Sequence, residues 1–147
     1  MTTPDHTADP RVQQETAPAA ASLAVDIAFT EPDLFRLRAE VAAHTGTVGD
    51  DHLVHRVLIV TSELATNVVR HGGGAGRLRL WTADQTVVVE VSDRGHGIVQ
   101  ANPGMERPDP MARGGRGIWF CRQLAEEFAI STGPAGTTAT ARFRQVR

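Results

Sequence analysis

The sequence predicts an α+β fold, a two-layer sandwich in which helices cover one face of a mixed, mainly antiparallel sheet. Three observations predict it. The element order reads β-α-α-β-β-loop-α-β-β. Most neighbouring strands are joined by turns of hairpin length rather than by helical crossovers. Finally, 147 residues with 41% hydrophobic and 22% charged side chains form an ordinary single-domain mixture. A chain of this size buries roughly two-thirds of its unfolded surface.

Residues 1–21 are rich in Thr, Pro, Ala, Asp and Gln and hold almost no large apolar side chain. Such a segment cannot offset its ordering entropy. A disordered tail is expected there, with a partner-binding arm as the alternative, ahead of one domain spanning 22–147. Residues 22–29 alternate Leu23, Val25, Ile27 and Phe29 with smaller or polar side chains, the pattern of a strand with one buried face. Thr30 reads as an N-cap, and Pro32 falls where a first helical turn tolerates it. That helix continues through Leu34, Leu37 and Val41, with Arg36, Arg38 and Glu40 outward, to about Gly46.

Asp50-Asp51 opens a second helix with acidic residues suited to the helix dipole. Leu53, Val57, Val60, Leu64 and Val68 recur at spacings of three and four, a five-position stripe for the core. Gly72-Gly73-Gly74 stops it after about 20 residues, roughly 30 Å. Residues 77–81 and 87–91 read as two strands joined near Ala83-Asp84-Gln85. Residues 94–117 are dense in Gly and Pro, and a loop of that length inside a small domain is usually functional. Residues 118–128 are expected to form a third helix. Residues 129–132 and 138–144 are expected to close the domain as a hairpin around Gly133-Pro134-Ala135-Gly136.

Composition narrows the chemistry. The formal net charge is -2, so no basic excess points to nucleic acid or to an anionic membrane surface. No apolar run approaches the ~18 residues of a spanning helix. The N-terminus lacks the apolar stretch of a signal peptide, and a cytoplasmic location is expected. A single cysteine, Cys121, excludes an internal disulfide and a cysteine-based metal cluster. All 15 basic residues are Arg. The absence of Lys removes the Walker-A phosphate loop, the usual protein-kinase strand lysine, Schiff-base enzymes and Ser-Lys hydrolases. Any phosphate chemistry must therefore use Arg, a metal and backbone N–H groups.

Three segments offer such chemistry. Glu63, Asn67, Arg70 and His71 lie at i, i+4, i+7 and i+8 on one face of the second helix. Glu63 can orient or deprotonate a nucleophile, and the Asn67 amide oxygen suits a hard cation such as Mg²⁺; a solvated polar face is the plainer explanation. Asp93-Arg94-Gly95-His96-Gly97-Ile98 follows a strand. It sets a carboxylate acceptor beside a backbone that a ligand can approach closely, where an ordinary Asp-Gly turn is the alternative. Gly114-Gly115-Arg116-Gly117 precedes the third helix. It can offer N–H groups and the positive dipole end to an anion, or serve only as a linker.

The order and spacing of these segments resemble the GHKL ATPases of the Bergerat fold. Glu63 to Asn67 is similar to the N box, Asp93 to Gly97 to the first glycine box, residues 99–113 to the ATP lid, and Gly115 to Gly117 to the second glycine box. The resemblance spans residues 22–144. Members such as gyrase, Hsp90 and MutL use a second domain with a lysine, and sensor histidine kinases use a phosphoacceptor hairpin; neither pattern is expected here. Ser62-Glu63-Leu64-Ala65-Thr66-Asn67 followed by His71-Gly72 resembles the anti-sigma factor serine/threonine kinases, as does Gly136-Thr137-Thr138-Ala139-Thr140.

That resemblance implies ATP and Mg²⁺ as cofactors. Glu63 would be the general base for a Ser or Thr hydroxyl, and Asn67 would hold Mg²⁺ across the phosphates. Asp93 would accept from the adenine amine, with Gly95, Gly97 and Ile98 lining the ring. Gly115, Arg116 and Gly117 would face the phosphates. It also implies a sigma factor as the sequestered partner, a STAS-type anti-anti-sigma factor as the phosphorylated one, and a homodimer. A nucleotide-binding module that sequesters a partner without kinase activity is the alternative. Trp119-Phe120-Cys121 reads as core packing, and His71 as a possible cap of its helix.

Overall fold

The computed structural model describes residues 21–95 and 116–146. Its elements are β1 (Ser22–Thr30), a 3₁₀ turn (Glu31–Asp33), α1 (Leu34–Gly46), α2 (Asp51–His71), β2 (Ala75–Ala83), β3 (Thr86–Asp93), α3 (Arg116–Leu124), β4 (Glu127–Gly133) and β5 (Gly136–Arg144). The five strands form one sheet in the order β1-β2-β3-β5-β4. Every described pairing is antiparallel, so the mixed sheet expected from the sequence is antiparallel throughout. The reason is local. β2–β3 and β4–β5 each close through two-residue turns, and the chain returns from α3 to the sheet edge so that β5 runs against β3.

The cores of the elements follow the sequence pattern. Leu53, Val57, Val60, Leu64 and Val68 of α2 are all buried. They pack against Leu78 and Leu80 of β2, Val87, Val89 and Val91 of β3, and Ala139, Ala141 and Phe143 of β5 in one cluster. α1 adds Leu37 and Val41 to that cluster, while α3 adds Cys121. α2 thus lies across the sheet with α1 and α3 against it. Its N-terminus is set by Asp50, whose extended backbone leaves its carboxylate to accept from the Leu53 N–H at 2.9 Å. That bond holds the Asp50 carboxyl below the usual carboxylate range.

Two segments differ in kind from expectation, and the strands run one to two residues longer at their ends. Thr30 and Asp33 close a reciprocal capping pair, with the Asp33 carboxylate accepting from the Thr30 N–H at 2.9 Å. The turn they cap is 3₁₀, and the α-helix begins only at Leu34. The third helix ends at Leu124 rather than at Phe128. The Ala125 N–H still donates to Cys121 O, but the Glu126 N–H donates to Arg142 O across the sheet. From there Phe128 and Ile130 are half-buried while Glu127, Ala129 and Ser131 are exposed, the period of a strand and not of a helix. The expected tail lies outside the described residues up to position 20, as do the expected lid at 99–113 and His96, Gly97, Ile98 and Gly115.

Arg56 explains why the helix stops where it does. It stands on α2 at 8% exposure, donating to Leu124 O at 3.0 Å and to Arg144 O at 2.6 Å. It also pairs with Glu126 at 3.1 Å and lies over the Phe143 ring, 5.7 Å from its centroid. One cation therefore satisfies the C-terminal end of α3 and the end of β5 together. On the other sheet face, Arg79 pairs with Glu90 and stacks on Trp81, and Arg77 pairs with Asp26 at 2.6 Å.

Phe143 is fully buried beneath Arg56. Phe143→Ala is expected to lower unfolding stability by about 3–5 kcal/mol, read from urea denaturation with an unchanged m-value. A loss below about 1 kcal/mol would contradict this placement of the core.

Candidate functional site

β3 ends at Asp93, where β2 and β5 flank it through Gly76 and Thr137. The carboxylate is half-buried. Its Oδ1 accepts from the Gly95 N–H at 2.8 Å and from the Thr137 N–H at 3.3 Å. These two amides fix the carboxylate against rotation.

Glycines surround it for steric reasons. A Cβ placed on Gly72 would stand 2.5 Å from Asp93 Oδ2 and 2.6 Å from its Cγ. One on Gly95 would stand 2.6 Å from the Gly72 Cα. One on Gly136, whose φ is +133°, would collide with the Asp93 carbonyl oxygen. The C-terminal end of α2, the segment after β3 and the start of β5 thus converge on one carboxylate, and only hydrogen atoms fit between them.

Toward the middle of α2, Glu63 is half-buried and faces the first turn of α3. A Cβ on Gly117 would lie 2.5 Å from Glu63 Oε2, so Gly117 backs onto the Glu63 carboxylate. One turn further along α3, Cys121 is fully buried. Burial, and then the Glu63 charge, push its thiol up to about 12. Asn67 stands half-buried on α2 between Glu63 and the Asp93 end. Glu63 and Gly72 are nine residues apart, about 13 Å along the helix axis. Arg70 and His71 are exposed in the last helical turn, where the Arg70 charge suits the dipole. Among the described residues no group of His, Cys, Asp and Glu is arranged to hold a metal ion.

The structure therefore brings together Asp93 and Gly95 at one end of α2, and Glu63 and Gly117 beside α3. Asn67 lies on the same helix between them. Gly97, Ile98 and Gly115 are outside the described residues, and of Arg116 only the backbone in α3 is described. Sequence reasoning did not assign Gly72, Gly136 or Thr137 to the site. In sequence Gly72 reads as a helix stop and Gly136 as part of a turn, and both belong to segments that carry the family resemblance; neither reading signals the approach to Asp93.

The comparisons agree with this architecture. Residues 27–143 match the family model described as a histidine kinase-like ATPase domain. No curated protein matches the sequence. Among solved structures, the RsbU and RsbW domains of Rv1364c from Mycobacterium tuberculosis are 22% identical at a TM-score of 0.60. That likeness covers 84% of this chain and 33% of the other, so the chain spans about a third of its length. The blue-light activated histidine kinase of Erythrobacter litoralis is 20% identical at a TM-score of 0.53, over 76% and 41% of the two chains. The histidine kinase AdeS of Acinetobacter baumannii is 12% identical at 0.51, over 94% and 74%. These likenesses are of fold.

Because folding disfavours the Cys121 thiolate, stability is expected to fall as pH rises from the thiol's ordinary 9.0 toward about 12. Below that window Cys121 should resist iodoacetamide in the folded protein and react quickly in urea. Equal alkylation rates in the two states at pH 8.5 would show that the thiol is not enclosed.

Proposed function

The chain belongs to the histidine kinase-like ATPase family, and from that premise we propose that it is an ATP-dependent anti-sigma factor with protein-serine/threonine kinase activity. In this reading it sequesters a sigma factor and phosphorylates a STAS-type anti-anti-sigma factor. The observation that carries the nucleotide half is Asp93, a half-buried carboxylate held by two backbone amides and packed against Gly72. Such an acceptor suits an exocyclic amine on a flat ring, and the glycines allow the ring to approach the backbone. The likeness of fold to a chain with an RsbW domain, together with the Ser62 to His71 segment, supports the kinase half.

Roles follow from placement. The Asp93 Oδ2, not used by the two amides, would accept from the adenine amine. An extended nucleoside triphosphate running along α2 from its Gly72 end would pass Asn67 at about 8 Å and bring its terminal phosphate to the level of Glu63 at about 13 Å. The donor chemistry fits Mg²⁺: this ion keeps several waters and takes few protein ligands beyond the substrate phosphates, so one amide oxygen from Asn67 is enough. Mg²⁺ would neutralise charge on the phosphates. Glu63 would accept the proton of a partner Ser or Thr hydroxyl as its oxygen bonds to the γ-phosphorus. The bond from that phosphorus to the β–γ bridging oxygen breaks, and ADP leaves. This scheme relies on positioning and charge neutralisation.

Two variants separate binding from transfer. Asp93→Asn should weaken ATP binding about tenfold or more, roughly 1.4 kcal/mol, measured by calorimetry with Mg²⁺ present. Glu63→Gln should keep ATP affinity within about twofold and cut phosphate transfer to a partner by about 10²–10⁴. Transfer unchanged in Glu63→Gln would remove Glu63 as the base. ATP binding with no transfer by the wild type to any STAS-type partner would favour sequestration alone.

A further inference from the structure

We propose that Gly72 is a specificity-positioning residue, setting the Asp93 carboxylate so that it distinguishes adenine from guanine. The inference rests on the ATP reading above. Gly72 is the first of three consecutive glycines, and the three serve different needs. Gly73 and Gly74 have φ of +86° and +85°. No atom lies within 4 Å of a Cβ built on Gly74, and the nearest to one on Gly73 is 3.9 Å away. Their need is conformational. Gly72 has φ -101° and ψ 20°, which L-residues adopt without difficulty. Nevertheless it is buried, and a Cβ there would meet Asp93 Oδ2 at 2.5 Å and, on the helix side, Val68 Cα at 2.9 Å. Its need is space.

Neither side of that contact can withdraw. The Gly72 N–H donates to Val68 O at 2.9 Å, and Val68 is locked in the core stripe of α2. Asp93 Oδ1 is held by the Gly95 and Thr137 amides, while Gly95 itself rests on Gly72. A methyl group at position 72 must therefore turn or push the carboxylate. Base identity is read at that carboxylate. The amine of adenine donates to it, whereas guanine presents a carbonyl oxygen at the same ring position, an acceptor facing an acceptor.

The test is ATP and GTP binding by the full chain, by calorimetry with Mg²⁺, for wild type, Gly72→Ala, Asp93→Ala, the double variant Gly72→Ala/Asp93→Ala, and Gly74→Asn. The wild type should prefer ATP. Gly72→Ala should lose about tenfold or more in ATP affinity and most of its preference over GTP. Gly74→Asn, strained at φ +85° but with a Cβ in open space away from Asp93, should keep the wild-type preference for ATP over GTP whatever stability it loses. In the Asp93→Ala background, adding Gly72→Ala should cost clearly less than it does alone, the remainder being the contact with Val68 Cα. A wild type that binds no ATP overturns the ATP reading itself. A wild type that prefers ATP, beside a Gly72→Ala variant that keeps affinity and preference, overturns only the role of Gly72. So do additive losses in the double variant. If Gly72→Ala alone does not fold, the same coupling is read in melting temperature: recovery in the double variant supports the contact, and no recovery overturns it.

Discussion

The constraint on which the site depends is the closure of α2 onto the end of β3. A 21-residue helix crosses the sheet and must stop where its last turn meets Asp93. The stop uses two glycines with positive φ to turn the chain and a third with no side chain to admit the carboxylate. β2 begins at Ala75, only a few residues later, and pairs its Gly76 with Asp93. Helix end, turn and two strand ends are thus fixed within one small volume. The sheet supplies rigidity, the glycines supply proximity, and the fold itself orients the carboxylate, which is the preorganisation that the proposed binding role requires.

The same helix places the second carboxylate. Five apolar residues at helical spacing commit one face of α2 to the core, which fixes the rotation of the helix and hence the direction of Glu63. α3 is brought against that face by Cys121 and tied by Arg56, whose bonds reach Leu124 O, Glu126 and Arg144 O. Losing that cation would remove a donor from two part-buried carbonyls, at about 1 kcal/mol each. Arg56 therefore acts on the site from a distance, because the helix end it holds belongs to the helix whose first turn packs on Glu63.

Much of this was legible in the sequence because it is periodic. The α2 stripe, the alternation in β1, the apolar run of β3 and the two tight turns are all set within a few residues, and those elements lie where their patterns place them. The third helix ran too far in the sequence reading because Leu124 and Phe128 are four apart, a helical spacing. The competing strand period from Phe128 through Ile130 to Thr132 prevailed once β5 was available to pair with it. The contacts that were not legible are those made across the fold. The partners of Arg56 lie 68 to 88 residues away, and nothing near position 56 announces them. Gly72 and Gly136 had sufficient local explanations, so their approach to Asp93 could be seen only with three segments placed in space. Asp93 and Glu63 are proposed for the site because their local settings, a strand end before glycines and a polar helix face, carry a chemical meaning.

The central claim is that Asp93 is held by the backbone in the ligand-free protein. Amide hydrogen exchange at Gly95 and Thr137, followed by NMR without nucleotide, tests it most directly. The account predicts that both amides exchange far more slowly than unfolded peptide, because each donates to Asp93 Oδ1. Exchange of both at the unfolded-peptide rate would mean that the carboxylate is not held in place, and the recognition argued from its position would fall with it.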